Sequence, residues 1–307
     1  MATRKSVGLF VLLATAWGTA FVAIKAGLDV FPPVLFAAIR YDVAAVLMVA
    51  YAARTSDYWL PRTRADWLTV LVEGVLLIGL YNAFLFVGQQ GVTSGVAAIL
   101  VATTPLLSTA FSRLILPSER LSLPNLVGVL VGLVGVGLVA RPDTSLAGGG
   151  GVVPSVLILL AAVTVALGSV LVQRLGGGIS SVGMVAWANV IGAAVLHAIS
   201  AGLPSESVTQ ARLTTVGVVA VLYLAVFASA IGYVVYFDLL ERLGAVQINF
   251  VTYAVPVVAA VTGWLLLDER LAALDAAGFL VIFAGFVVLK RDALRSELRP
   301  LESWLRQ

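Results

Sequence analysis

Residues 116–128 read LPSERLSLPNLVG, and residues 266–278 read LLDERLAALDAAG. Each stretch joins two long apolar runs, and each carries the same Glu-Arg-Leu core. Laid on each other at an offset of 150 residues, they match well beyond the loop: ERL at 119–121 falls on ERL at 269–271, Gly128 on Gly278, Gly135 on Gly285 and Arg141 on Arg291. At the same offset WGTAFVAIK (17–25) falls on LGSVLVQRL (167–175), with Gly18 over Gly168 and Thr19 over Ser169. Pro105 and Pro256 agree with a slip of one residue. Chance supplies one such match more readily than a set in one register, so the chain reads as two related halves.

Both halves are composed for lipid. Of the 307 residues 61% are hydrophobic and 11% charged, and the mean hydropathy is +1.05. An ordinary soluble domain carries about 25% charged residues, and a globule of this size could not hide so much apolar surface from water. The net charge of +3 arises from basic residues scattered through short loops and the tail, which is not the footprint of a nucleic-acid binder. There is no cysteine, which excludes disulfides and thiol catalysis, and one histidine cannot make a zinc or haem ligand set. No cofactor or metal is therefore expected. GGGG at 148–151 lacks a following Gly-Lys-Ser/Thr and reads as a linker, not a phosphate loop, so any transport would draw on gradients rather than ATP.

A spanning helix needs about 20 mostly apolar residues. Polar breaks and Pro/Gly clusters cut the chain into ten such runs, at 6–26, 33–53, 67–87, 94–116, 124–140, 153–173, 180–201, 214–238, 246–267 and 272–290. The first begins after Arg4 and Lys5 like a signal peptide. It runs longer than an h-region and no small-x-small cleavage site follows, so it is expected to be retained. Basic residues favour cytoplasmic loops. With the N-terminus inside, only Lys25, Arg141, Arg212 and Arg270 of the 19 Lys and Arg fall outside, while Arg40 lies within a span and the rest fall inside. Both termini are thus expected in the cytoplasm. Trp59, Trp67 and Trp264 stand at helix ends, as interfacial indoles do, whereas Trp17 lies at mid-depth.

These features predict an all-α integral membrane protein of ten transmembrane helices arranged as two inverted five-helix repeats. The first repeat covers 1–146, a Gly-rich link 147–152, the second repeat 153–291 and a cytoplasmic tail 292–307. Five is odd, so the second half enters the membrane from the opposite side. That arrangement suits a secondary transporter with its site near the midplane between the halves.

The motifs also carry a resemblance. WGTAF opens at Trp17, AAIRYDVAAVLM (37–48) places Arg40 early in the second helix, and Pro105 and Pro256 precede SERL and DERL and a Gly-spaced helix. Over residues 1–291 the chain resembles the EamA-type branch of the drug/metabolite transporter superfamily. The resemblance implies a ten-helix, multi-pass carrier in the cytoplasmic membrane, exporting small metabolites such as amino acids or nucleobase-like solutes, and not an enzyme. A multidrug or cation antiporter of the small four-helix kind needs a carboxylate in the first helix, and LFVLLATAWGTAFVAI (9–24) has none. A phosphorylated-sugar exchanger needs several cations in its cavity, and Arg40 is the clear one here, with Lys25 near a helix end.

Ionisable residues within a span cost about 2.5–3.5 kcal/mol at helix centre and are functional candidates for that reason. Arg40, which the resemblance also singles out, could bind an anionic group, latch a gate or simply satisfy helix ends. Asp42 lies two residues on, about 200° around the helix, and so faces away from Arg40. Asp42 and Glu73 are the candidates for proton coupling; the plainer reading of Glu73 is an acid wetted from the inner side. His197, Asp238 and Glu241 read as interfacial or surface charge. The expected substrate cavity consists of Trp17, Arg40, Tyr81, Asn82, Thr103 with its neighbour Thr104, Asn189, Tyr233, Tyr236, Asn249 and Tyr253. A polar group in hydrocarbon needs a partner, so these side chains should face other helices or a cavity. Aromatic walls with a few amides and hydroxyls suit a small zwitterionic or heterocyclic solute. Pro105 and Pro256 are expected to kink helices four and nine as gates. The glycines of GVLVGLVGVG (128–137), Gly278 and Gly285 read as packing surfaces or as the contact face of a homodimer.

Overall fold

The computed structural model describes residues 4–116, 123–140, 152–289 and 291. Glu119 and Arg120 of the first ERL loop, Arg141, the Gly-rich link and the tail lie outside the described residues. Helix fills each of the ten apolar runs: α1 Arg4–Leu28, α2 Pro33–Thr55, α3 Arg64–Gln89, α4 Ser94–Ile115, α5 Leu123–Ala140, α6 Val152–Leu175, α7 Ser181–Gly202, α8 Thr215–Gly244, α9 Val251–Leu267 and α10 Ala273–Leu289. Seven of them (α1–α4 and α6–α8) are long and apolar enough to cross a membrane, and the apolar parts of α5, α9 and α10 are shorter. Exposed large hydrophobics such as Leu130, Leu133, Leu265, Leu266 and Leu280 stud the outside of the bundle, where lipid replaces water.

Local chemistry sets the helix ends. Thr63 and Asp66 form a capping box at the start of α3; Thr93, Ser180 and Thr214 cap α4, α7 and α8 through their hydroxyls. Pro33 opens α2, and Asp268 in the left-handed region (φ 53°) ends α9. Two acids reach across the chain to do the same work. Glu206 accepts from the amides of Val34 and Leu35, and Glu269 of the second ERL loop accepts from Ser94 N at 2.9 Å. Glu269 therefore caps α4 from the second half.

The helices depart from regularity at matched places. In α3 the stretch Glu73–Leu80 is π-helical, and in α8 the stretch Tyr223–Ile231 is π-helical; the first begins at residue 73 and the second at 223, an offset of 150. In α4 the α-helix is interrupted at Ala102–Thr103, where Thr103 N bonds back to Leu100 O, and Pro105 stands in the first turn of the segment that follows. Pro256 behaves differently. It lies inside α9, which stays helical around it, and the turn occurs earlier, at Asn249–Phe250. The two prolines therefore do not sit at equivalent breaks. Between α8 and α9 the chain bends at Gly244, whose φ of 79° a side chain would resist.

Packing is reciprocal. α1 lies on α8 and α9, and α6 on α3 and α4; α2 lies on α7 and α8, and α7 on α2 and α3. α5 and α10 embrace each other through glycines. A Cβ on Gly128 would come within 2.7 Å of the Gly285 carbonyl, and one on Gly135 within 2.7 Å of the Gly278 carbonyl. These glycines thus pack helix on helix within the chain. The core above them is aromatic and aliphatic, with Phe36 packed edge-on against Phe86 and stacked on Phe31.

Candidate substrate site

Arg40 is buried in α2 and donates through Nε and Nη2 to Ser229 Oγ of the α8 π segment, at 3.3 and 3.1 Å. Its guanidinium also lies 4.8 Å from the ring centre of Tyr41. Among the described residues no carboxylate comes within ion-pair distance of it. The Tyr41 hydroxyl accepts from Asn82 Nδ2 at 3.1 Å, and the same amide donates to Ile78 O at 2.7 Å. Asn82 Oδ1 is left without a partner in the dry interior. Tyr233 of α8 lies within electrostatic reach of Arg40, Tyr41, Tyr81 and Glu73. Arg40, Tyr81, Asn82, Tyr233 and Glu73 are thereby drawn into one neighbourhood where α2, α3 and α8 meet.

Glu73 opens the π segment of α3. It is buried, and its Oε2 has no hydrogen-bond partner. The helix surface beside it is cut to fit α7: Gly74 sits against Ile191 and the Ala188 carbonyl, and Gly192 against Ile78. Asn189 is on that same stretch of α7, fully buried, with both amide atoms unpartnered. Orphaned polar atoms of this kind cost a few kcal/mol each when nothing meets them.

The remaining residues divide into other groups. Trp17 donates to Ala228 O at 3.0 Å, and its ring lies 5.7 Å from Tyr236, which joins α1 to α8. Thr103 and Thr104 return their hydroxyls to Leu100 and Val101 carbonyls beside the break in α4. Tyr253 packs on Phe283 and Phe286 of α10, and Asn249 sits at the turn just before Val251. Among the described residues neither makes a hydrogen bond or ring contact with the Arg40 group. Asp42 lies on the opposite face of α2 from Arg40, half-exposed, with Oδ2 2.8 Å from His197 Nε2 of α7. That pair lies on the outside of the bundle, away from Arg40. Asp238 and Arg242 form an exposed pair one turn apart, as surface charges do.

Several partners carry no strong signal in the sequence. Ser229 holds Arg40, and Tyr223 bonds Thr19 and donates to Ala16 O at 3.2 Å. Both stand in the α8 π segment, and an extra residue in a helical turn leaves no mark in an apolar run. Tyr41 was legible as the neighbour of Arg40. Asp66, three residues after Thr63, carries the signal of a capping box, yet it does more than cap: it also accepts from Tyr58 Oη at 2.5 Å and from the amides of Gly178 and Ile179.

The described helices form an apolar bundle with charged and hydrogen-bonding residues inside it, the build of a multi-pass membrane protein. Comparison with known proteins then narrows it. A model of the EamA-like transporter family matches residues 4–141 and again 153–291, and the chain belongs to that family. It is similar to the uncharacterized transporter YvbV of Bacillus subtilis, 30% identical over 284 residues that cover 92% of this chain and 90% of that one. It is similar as well to the uncharacterized inner membrane transporter YedA of Escherichia coli K12, 31% identical over 289 residues, with 92% and 90% covered. A WAT1-related chloroplastic protein of Arabidopsis thaliana is 28% identical over 282 residues, 89% of this chain and 66% of that one. A crystal structure with 23% identity superposes at a TM-score of 0.65, covering 96% of this chain and 99% of that one, and shares the fold. The chain is thus a multi-pass membrane transporter, and the family indicates transport rather than catalysis.

Proposed function

We propose that the chain is a secondary transporter that exports a small zwitterionic or heterocyclic metabolite by alternating access between two inverted five-helix halves. The observation that carries the reading is Arg40 of the first half held by Ser229 of the second, buried and without a carboxylate. A cation so placed awaits an anionic group, and it stands at the junction that must rearrange. The unpaired Glu73 in the same neighbourhood suits an ammonium group or an exchanged proton.

Ten crossings and an inverted repeat are supported by four features. The family model matches once in each half, the two π segments share the 150-residue offset, the helix contacts are reciprocal, and the glycine contacts exchange partners. Gly128 corresponds to Gly278 and Gly135 to Gly285, yet Gly128 touches Gly285 and Gly135 touches Gly278. A two-fold axis between α5 and α10 requires that swap. Both termini are then cytoplasmic, by the distribution of Lys and Arg.

The reading is tested by uptake into inside-out vesicles over a panel of amino acids, nucleobases and cationic drugs, with and without a pH gradient. Accumulation of a zwitterion or nucleobase is expected. Accumulation of cationic drugs alone would replace this reading with the antiporter.

A further inference from the structure

Tyr41 and Asn82 join α2 to α3 within the first half, Asn82 Nδ2 donating to Tyr41 Oη at 3.1 Å. Tyr41 is the ninth residue of α2, and Asn82 is the second residue after the π segment of α3. Counted from the same landmarks in the second half, the ninth residue of α7 is Asn189, and the second after the π segment of α8 is Tyr233. Counting from landmarks absorbs the slips of one or two residues that unequal links introduce into the 150-residue offset. The two halves thus hold the same pair of side chains at corresponding places, with the tyrosine and the amide exchanged.

Among the described residues only the first pair is joined. Asn189 is fully buried, and neither its Oδ1 nor its Nδ2 has a partner. Tyr233 is held by packing alone: it lies against the cluster of Met48, Ala52, Val185 and Ala186 and stacks on Phe237. Asn189 follows Val185 by four residues, so its amide stands one turn along the same face of α7. A hydroxyl able to satisfy the orphaned amide is therefore already packed against a cluster to which that face contributes. The helices differ in the same sense. α2 packs along α3 beyond its π segment, and α7 has no comparable packing on α8 among the described residues.

We propose that Asn189 and Tyr233 are the exchange partners of Tyr41 and Asn82: the carrier alternates by making one pair as it breaks the other, and Tyr233 Oη meets the Asn189 amide when Asn82 releases Tyr41. The proposal rests on the inverted-repeat reading, in which each half takes up the conformation that the other leaves. It makes Asn189 and the Tyr233 hydroxyl positioning groups of the transport cycle, while the Tyr233 ring remains beside Arg40. A polar bond in a low-dielectric bundle is costly to leave unmade. Losing one hydroxyl–amide bond while gaining another of the same kind keeps the two states close in free energy, as a carrier that must visit both requires. The exchanged order of tyrosine and asparagine leaves that balance intact, because the bond joins the same two groups in either half.

The chain has no cysteine, so spin labels can be placed on thiols introduced at Ser181 and Glu241 alone. Both positions are exposed, one at the start of α7 and the other near the end of α8, and their separation reads how closely the two helices approach. Pulsed dipolar spectroscopy on the full chain in nanodiscs should resolve a long and a short distance. Tyr41→Phe and Asn82→Leu, which break the first pair, should raise the ratio of short to long roughly fivefold. Tyr233→Phe, which removes one hydroxyl, and Asn189→Leu should lower it by a similar factor, in native protein and again in the Tyr41→Phe background. A ratio unmoved by Tyr233→Phe in both backgrounds would overturn the exchange. So would a shift in the same direction from breaking either pair, which is what simple helix glue gives. If Asn189→Leu does not fold, Tyr233→Phe decides alone by the same criterion. A failure of the inverted repeat itself would appear elsewhere, as thiols at 122 and 272 reacting from the same face.

Discussion

Arg40 and Ser229 lie 189 residues apart and meet inside the bundle, guanidinium to hydroxyl, at 3.1 Å for the shorter of two bonds. The contact joins α2 to the irregular part of α8, and neither partner would be buried so deeply without the other.

Replacement of Arg40 by lysine keeps the charge but loses the fork that lets two nitrogens address one oxygen. Uptake of the solute found by the vesicle panel should fall roughly tenfold or more in Arg40→Lys and further in Arg40→Met, with monodisperse protein in both. Native uptake in Arg40→Met would remove the cation from the site.

Asn82 and Tyr233 are argued in the same neighbourhood, but they differ in what they lose. Asn82→Ala deletes the donor to Tyr41 Oη, while Tyr233→Ala deletes an aromatic wall beside Arg40. Each should impair uptake by several-fold without loss of folded protein, about 1 kcal/mol or more of solute binding. Unchanged transport in both would move the cavity away from α3 and α8.

The glycine seam makes a stability prediction that depends on mutual contact. A Cβ on Gly128 would stand 2.7 Å from the Gly285 oxygen, and one on Gly285 would stand 2.6 Å from the Gly128 oxygen. Backbone cannot move aside as a side-chain tip can. Gly128→Ala and Gly285→Ala should therefore each cost about 1–3 kcal/mol, visible as matched drops in thermal stability in detergent. The double variant should cost less than the sum, because the two changes push the same helices apart. A drop confined to one of them would show that the two glycines do not share one contact.

The sequence made the ten helical runs legible because each is a long apolar stretch closed by Pro, Gly or charge, and lipid asks for little more. The offset of the two halves was legible in Gly128, Gly135 and the ERL loops for the same reason: close packing leaves few residues to choose from. The site was legible only in part. Arg40, Asn82 and Tyr233 stand out as polar groups in apolar helices, but which face each takes depends on π-helical turns at Glu73–Leu80 and Tyr223–Ile231. One added residue per turn rotates everything after it, and apolar sequence records no such rotation. Asn249 and Tyr253 were grouped with the cavity by depth alone; Asn249 stands at the turn Asn249–Phe250, and Tyr253 packs on Phe283 and Phe286 of α10 with its hydroxyl buried and unpartnered.

Outside the spans, Tyr58 donates to the Asp66 carboxylate, and that bond holds the Tyr58 phenol above its ordinary range. A raised folded value means the bond contributes fully below the unfolded phenol's value, about 10, and is lost as pH rises through the folded one. The stability difference between native protein and Tyr58→Phe should be constant at neutral pH and shrink in alkali. A difference that does not change up to about pH 11 would show that the phenol does not titrate against Asp66.

The inverted repeat places the two ERL loops on opposite sides of the membrane. In the topology drawn from the basic residues, Ser122 lies in the cytoplasm and Ala272 outside. The amide of Ala272 is held by Asp275 Oδ2 at 3.0 Å, and Glu269 of the same loop reaches Ser94. Single cysteines at these two positions, in a chain with no others, should react with an impermeant maleimide from opposite faces: Ala272→Cys in intact cells, Ser122→Cys after the membrane is opened. Reaction of both from one face would mean an even number of crossings between them. That would dissolve the two-fold relation between Gly128 and Gly278, the reciprocal helix contacts and the alternating access drawn from them. Reaction from opposite faces requires an odd number, which five helices per half supplies.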